Sequence, residues 1–308
     1  MTTSAVCGRF APTPSGALHV GSARTAVASA LSAWSQRGSW RLRVEDLDAQ
    51  RSAPEATAAM LDDLRWMGLD WDGDVVLQRP RLARHTAALR ALRAIGRVYP
   101  CACSRRDVEL AAQAPHGAEP VYPGTCRDAD PEGVVARAAA LGRGVAWRFR
   151  TDPEAAPRTI ADRFAGPFTQ DVAAEVGDFI VTRSDGVPAY QLAVVVDDID
   201  MGVTEVLRGD DLLPSTPRQA LVYDALGACV PAWSHIPLVL DGDGERLAKR
   251  RASMGIAALR ARGTTAAWLR GWILESLGLR DPGGYRAAAE AFSLASIPRA
   301  PVRWHAPA

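Results

Sequence analysis

The stretch that most constrains this chain is Arg9 to Arg24, RFAPTPSGALHVGSAR. Apolar residues precede it, and a helix-like run of small residues, TAVASALSAWSQ, follows it. Between them lies a loop with two prolines, two glycines, three small hydroxyl residues and one histidine. A strand–loop–helix of this kind gathers backbone N–H groups and the positive end of a helix at one point, where an anion can sit. Gly and Pro also punctuate ordinary turns, so composition alone does not separate an anion cradle from a plain βα turn. Behind the loop, residues 25–37 are expected to form a helix and 40–44 a strand ending in Glu45-Asp46. That is a βαβ unit, which calls for a parallel sheet of Rossmann type. Carboxylates at such a strand end lie where open α/β sheets bind ligands.

Further on, Ser52-x-x-Glu55 with Pro54 between them is expected to open a helix to about Met67 as a capping box. A second helix is expected over 81–95, with leucines at 82, 89 and 92 and arginines on a solvated face. From Tyr99 the character changes, and residues 101–145 are richer in Pro, Gly and Cys, with short helices at 105–112 and 134–141. Strand patterns return at 145–150 and 177–183, and Ser184-Asp185-Gly186 reads as a hairpin turn. Residues 190–196 form a continuous apolar run expected as a buried parallel strand, ending in Asp197-Asp198. A helix at 217–226, a strand at 237–240 and a mainly helical tail from Ser253 complete the pattern.

The 308 residues, 48% hydrophobic and 23% charged, are enough for a large core and more than one structural unit. No apolar run approaches the ~18–20 residues that a membrane span needs, and the first residues lack a signal-peptide pattern. A soluble, cytoplasmic, monomeric protein is expected. The net charge of +1 advertises no nucleic acid, although a local basic face would suffice for one.

Two compositional details point to chemistry. Of the 36 basic residues, one is a lysine, Lys249. A compact ammonium is not interchangeable with guanidinium, so that position stands out. The five cysteines suit no disulfide framework in a reducing compartment. Cys101-Ala-Cys103 is followed after eighteen residues by Tyr122, and after three more by Cys126. Three thiols at such spacing fit a zinc site with one tetrahedral place left for another ligand. His116 and Tyr122 are the local candidates, and from spacing alone imidazole is the commoner ligand.

The opening motif, Pro12-x-Pro-Ser-Gly-x-Leu-His19-x-Gly21 after Arg9-x-Ala11, resembles the first signature of class I aminoacyl-tRNA synthetases in their glutamyl/glutaminyl form. Ser22 stands where the signature's final His falls in other members. Two further stretches carry the same resemblance. One runs DFIVTRSDGVPAYQLAVVVDDIDMGVTEVLRGDDLLPSTPRQ, and GERLAKRRAS resembles the second class I signature, a loop that closes on ATP phosphates. In the latter, Arg246 replaces the family's first Lys and Ala248 its Ser.

The resemblance covers residues 6–251 and implies a fold and a site. The fold is a Rossmann-type parallel-sheet nucleotide-binding unit split by a zinc-containing α+β insertion, with a short, mainly helical C-terminal segment. Expected bounds are 1–98 and 177–252 for the two halves, 99–176 for the insertion and 253–308 for the tail. Arg9, Phe10, Ala11, Pro12, Thr13, Glu45, Tyr190 and Arg208 then face L-glutamate. Glu45 would meet its α-amino group, and Arg208 a side-chain carboxylate, because a planar fork can pair with both oxygens. His19, Gly21, Ser22, Arg246, Leu247 and Lys249 would hold ATP, with Lys249 and His19 stabilising charge on its phosphates. For the metal, the resemblance points to Cys101, Cys103, Cys126 and Tyr122. Expected cofactors are ATP as substrate, Mg²⁺ and one Zn²⁺.

Only some 55 residues follow the second signature, too few for a glutamyl-tRNA synthetase's anticodon-binding domains. That brevity, with the CxC…YxxxC pattern, resembles the glutamyl-Q tRNA(Asp) synthetases. Their partner is the anticodon stem-loop of queuosine-containing tRNA(Asp), whose modified base receives the glutamyl group. Alternatives are a short glutamyl-tRNA synthetase charging a tRNA 3′ end, and a catalytically silent tRNA-binding paralogue.

Overall fold

The structure is a computed structural model that describes residues 5–48, 52–112, 120–245, 247 and 255–305. The first unit is parallel β: β1 (Cys7–Phe10) pairs with β2 (Ser39–Val44) across helix α1 (Val20–Ser35). Helix α2 (Pro54–Trp66) leads to the short β3 (Val76–Leu77), parallel to β2. α1 is buried on nearly every side, and its small residues let backbones approach closely. A Cβ added at Gly8 would lie 3.0 Å from the Ala33 Cβ, so strand and helix meet closely enough that a side chain there would have to push the helix away.

Helix α3 (Leu82–Ala94) leads into an antiparallel sheet of β4 (Val98–Cys101), β5 (Ala146–Phe149) and β8 (Phe179–Thr182). Helices α4 (Arg105–Ala112) and α5 (Pro131–Ala140) flank it. The hairpin of β6 (Arg158–Asp162) and β7 (Gly166–Gln170) and the short α6 (Val172–Glu175) follow before β8. Then come α7 (Tyr190–Asp200), β9 (Glu205–Gly209), α8 (Thr216–Ala225) and β10 (Ala232–Ile236), with β9 and β10 parallel. The entry to β9 is tied to β1, since the Cys7 N–H donates to Thr204 Oγ1 (2.9 Å) and the Thr204 N–H to the Cys7 carbonyl (2.9 Å). β11 (Val239–Leu240) pairs with the late strand β12 (Val302–Arg303), and α9 (Ile256–Ala261), α10 (Ala266–Ser276) and α11 (Tyr285–Ala288) lie between them.

Two expectations are corrected. Residues 190–196 are helix, not strand. Every residue from Gln191 to Asp198 is buried, so α7 shows no polar face, and a short apolar run buried all round carries no period to distinguish the two. The capping box is not used either. Pro54 takes the first helical position, the cap falls on Ala53 without a side-chain bond, and the buried Ser52 hydroxyl finds no partner among the described residues.

Candidate active site

A cavity of about 540 Å³ opens where the first loop, α7 and the end of β9 converge. Its wall includes Arg9, Phe10, Ala11, Pro12 and Thr13, then His19, Gly21 and Ser22, and across from them Tyr190, Arg208 and Leu247. The structure thus brings together most of the residues singled out by sequence. Arg246, Lys249 and His116 lie outside the described residues. The residues that flank the stretch containing Lys249 both meet the first loop. Leu247 lines the cavity, and Gly255 forms a β-bridge with His19.

His19 caps α1. Its Nδ1 accepts from the Ser22 N–H (3.2 Å), which leaves the ring proton on Nε2, 3.0 Å from Ser22 Oγ. The ring packs closely over Gly21; a Cβ there would sit 3.2 Å from Nδ1, a tight contact that the ring would have to ease away from. The first turn of α1 lines the cavity through Gly21, Ser22 and Thr25, and the positive end of the helix there suits phosphate oxygens.

The other end of the cavity is cationic. Arg208, at the end of β9, is 4% exposed. Its Nε donates to His235 Nε2 (2.9 Å), Nη2 to Thr216 Oγ1 (2.9 Å) and Nη1 to the Tyr190 hydroxyl (3.3 Å). None of these partners is a carboxylate. Burial accordingly pulls the guanidinium below its usual pKa. Arg9 differs, because its Nε lies 3.4 Å from Asp198 Oδ1, and the same oxygen takes the wholly buried Arg43 at 2.5 Å.

Arg43 reaches Glu45 with its other nitrogen (3.2 Å). Glu45 stands one layer behind the cavity wall, its N–H donating to the Pro12 carbonyl (2.9 Å). Burial raises its pKa despite Arg43 and Arg9. Asp198 is held low by Arg43 and Arg9, which outweigh its own burial. Arg43, Asp198, Thr216 and His235 were not singled out from sequence. Only the Asp197-Asp198 pair gave a signal, and its reading as a strand end hid the fact that α7 carries it to Arg9.

Some distance away, Cys101, Cys103 and Cys126 place their sulfurs within 4.8 Å of one another. Cys103 and Cys126 Sγ are 3.7 Å apart, and Tyr122 Oη is 3.4 Å from Cys101 Sγ and 3.8 Å from Cys103 Sγ. Tetrahedral ligands at ~2.3 Å from one ion would have such separations. Burial and the Cys101 neighbour push the Cys103 thiol up to about 11. Arg137 donates to Cys126 Sγ (3.4 Å) and Arg148 to Cys101 Sγ (3.3 Å), so two of the sulfurs meet a cationic donor within the apolar cluster that Val108, Val134 and Ala138 help to build. The set is compatible with a metal ion.

Residues 5–280 match the family of class I tRNA synthetases (E and Q), catalytic domain. A glutamyl-Q tRNA(Asp) synthetase of Symbiobacterium thermophilum is 49% identical over 97% of this chain and 95% of its own length. One from Nocardia farcinica is 46% identical over 96% and 91%. Among solved structures, a glutamate-tRNA synthetase from Elizabethkingia anophelis shares the fold, with a TM-score of 0.83 at 24% identity over 98% of this chain and 68% of that one. This chain belongs to the class I tRNA synthetases of the E and Q type, within the group formed by the glutamyl-Q tRNA(Asp) synthetases.

Proposed function

We propose that this protein activates L-glutamate with ATP and transfers the glutamyl group to the queuosine base at the wobble position of tRNA(Asp). The observation that carries the reading is Arg208, a buried guanidinium on the cavity wall whose partners are all neutral. A buried cation with no carboxylate in direct contact among the described residues is costly, and the side-chain carboxylate of glutamate would supply that contact. Glutamine, lacking that charge, would leave the cost uncompensated.

The α-carboxylate of glutamate would attack the α-phosphorus of ATP, forming a C–O–P bond as the bond to pyrophosphate breaks. Glutamate is already ionised at neutral pH, so the step calls for positioning and charge stabilisation, not a base. Glu45 would attract the α-amino group, and Arg9, Phe10, Ala11, Pro12, Thr13 and Tyr190 would shape the amino-acid end. His19, Gly21, Ser22, Arg246, Leu247 and Lys249 would hold ATP, Lys249 and His19 countering phosphate charge. Mg²⁺ would accompany the phosphates as counter-ion. A hydroxyl of the queuosine cis-diol would then attack the acyl carbon and release AMP.

We further infer that β3-β2-β1 and β9-β10 are one Rossmann-type sheet, its halves being residues 1–98 and 177–252. The bonds between Cys7 and Thr204 support that continuity. Residues 99–176 would be the insertion, and 253–308 a helical segment placed to contact the anticodon stem. Cys101, Cys103, Cys126 and Tyr122 would bind one Zn²⁺, cross-linking the insertion.

The test is glutamylation of tRNA(Asp) carrying or lacking queuosine. Label is expected only on the queuosine form, and periodate oxidation of its diol should abolish it. Label that survives periodate on a protected 3′ end would sink the acceptor assignment. Absence of glutamate-dependent ATP–pyrophosphate exchange would sink the activation step.

A further inference from the structure

Beneath the amino-acid end of the cavity a buried chain of side chains ends on Arg208, and its other two links, Asp162 and His235, have no part in the reaction described so far. Asp162 ends β6, His235 lies on β10, and Arg208 lies on β9. One carboxylate oxygen of Asp162 accepts backbone N–H groups from Phe164 (3.0 Å), Ala165 (2.7 Å) and His235 (3.1 Å). The other lies 2.6 Å from His235 Nδ1, and neither side chain is exposed. His235 Nε2 in turn lies 2.9 Å from Arg208 Nε.

The proton positions follow from chemistry. A guanidinium can only donate, so His235 Nε2 must offer its lone pair to Arg208. The ring proton therefore sits on Nδ1, facing Asp162, and the ring is neutral. Burial, together with Arg208 and Arg9 nearby, holds this histidine below its ordinary pKa against the pull of Asp162. The Thr216 hydroxyl accepts from Arg208 Nη2 and lies 3.4 Å from the Leu212 carbonyl, to which it can donate. Asp162 is thus kept one imidazole away from Arg208. It fixes the ring without cancelling the cation.

We infer that His235, oriented by Asp162, is a positioning residue that selects for an anionic side chain: it aims Arg208 while leaving its charge to be neutralised by the substrate. This rests on Arg208 meeting the glutamate side-chain carboxylate. A carboxylate at position 235 would hold the guanidinium equally well but satisfy it internally. A residue with no acceptor would leave Nε unpaired and its direction unfixed. Since Asp162 belongs to the β6–β7 hairpin, that hairpin contributes to amino-acid choice without touching the cavity.

The experiment is ATP–pyrophosphate exchange with the full chain, varying glutamate and ATP separately. His235→Glu is expected to raise the KM for glutamate about tenfold or more, leaving the KM for ATP within about twofold. His235→Gln, whose Oε1 can replace Nε2 as acceptor, should bring the glutamate KM back to within about threefold of the parent. Equal rises in both KM values, or an unchanged glutamate KM in His235→Glu, overturn the inference. A second measurement needs no variant. Nitrogen-15 spectra of the five histidines should contain one neutral ring protonated at Nδ1, whereas His19 and His85 donate through Nε2. Absence of an Nδ1–H ring also overturns it. Unmodified protein with no glutamate-dependent exchange refutes the proposed activity, and the ring tautomer then judges the His235 assignment by itself.

Discussion

Arg208 and Arg9 are both buried arginines on one cavity, yet their surroundings assign them different work. Arg9 shares Asp198 with Arg43, so its charge is largely answered within the protein. Among the described residues, Arg208 donates to neutral acceptors. Arg208→Gln is therefore expected to lower kcat/KM for glutamate by roughly 100-fold, the ~3 kcal/mol scale of a lost buried charge partner. Steady-state exchange at saturating ATP measures it. His235 adds a pH dependence. Its folded pKa lies below the unfolded value near 6.5, so the unfolded chain takes up the proton first. Stability is then complete above about pH 6.5 and declines as pH falls toward the folded value. Urea midpoints at pH 7.5 and about 5.5 should show that decline, and His235→Gln should flatten it. At this scale the motif residues Arg9, His19, Tyr190 and Arg208 were legible in the sequence. Asp162, His235 and Asp198 were not, because each acquires its role from a partner 70 or more positions away, across strands whose pairing no local pattern announces.

Among the elements, α7 teaches the most. Its valines and its apolar continuity suit a buried strand, but as a helix it sets Tyr190 at one end against Arg208 and delivers Asp198 at the other to Arg9 and Arg43. The opening βα unit was readable because its turn chemistry and the change of period fall together. The cluster of Cys101, Cys103 and Cys126 was readable from spacing, and its geometry permits a metal. Tyr122 Oη accepts the Cys126 N–H (2.9 Å) and sits against two thiols. Cys126→Ser is expected to reduce bound zinc from one per chain to well below that, measured by elemental analysis after dialysis. It should also lower the thermal midpoint, since metal binding contributes folding free energy to such a site.

Across the whole molecule, apolar packing divides into two main cores. One joins α7, α8 and β10 with β4 and β8. The other joins Phe10, Trp40 and α1 to Ile273, Leu274, Phe292 and Trp304, so it unites residues more than 250 positions apart. Arg24 pins the same contact from within. It is 1% exposed, its Nε and Nη2 bond the hydroxyl and carbonyl of Ser276 (3.1 Å each), and Nη1 bonds the Pro237 carbonyl (2.8 Å). Residues after 255 therefore complete the interior of the unit built on β1, β2 and α1. Removing residues 264–308 is expected to yield aggregated protein lacking native near-ultraviolet circular dichroism, not a trimmed active unit. Recovery of a soluble fragment with a cooperative melt would contradict this.

That shared interior also bears on synthesis. A ribosome releases α1 long before Ile273 and Trp304 exist, so the nascent first unit emerges with its apolar face uncovered. Chains whose early segments wait for distant partners fold slowly and expose sticky surface while they wait. The yield of folded protein is therefore expected to depend more on elongation rate and temperature than its final stability would suggest.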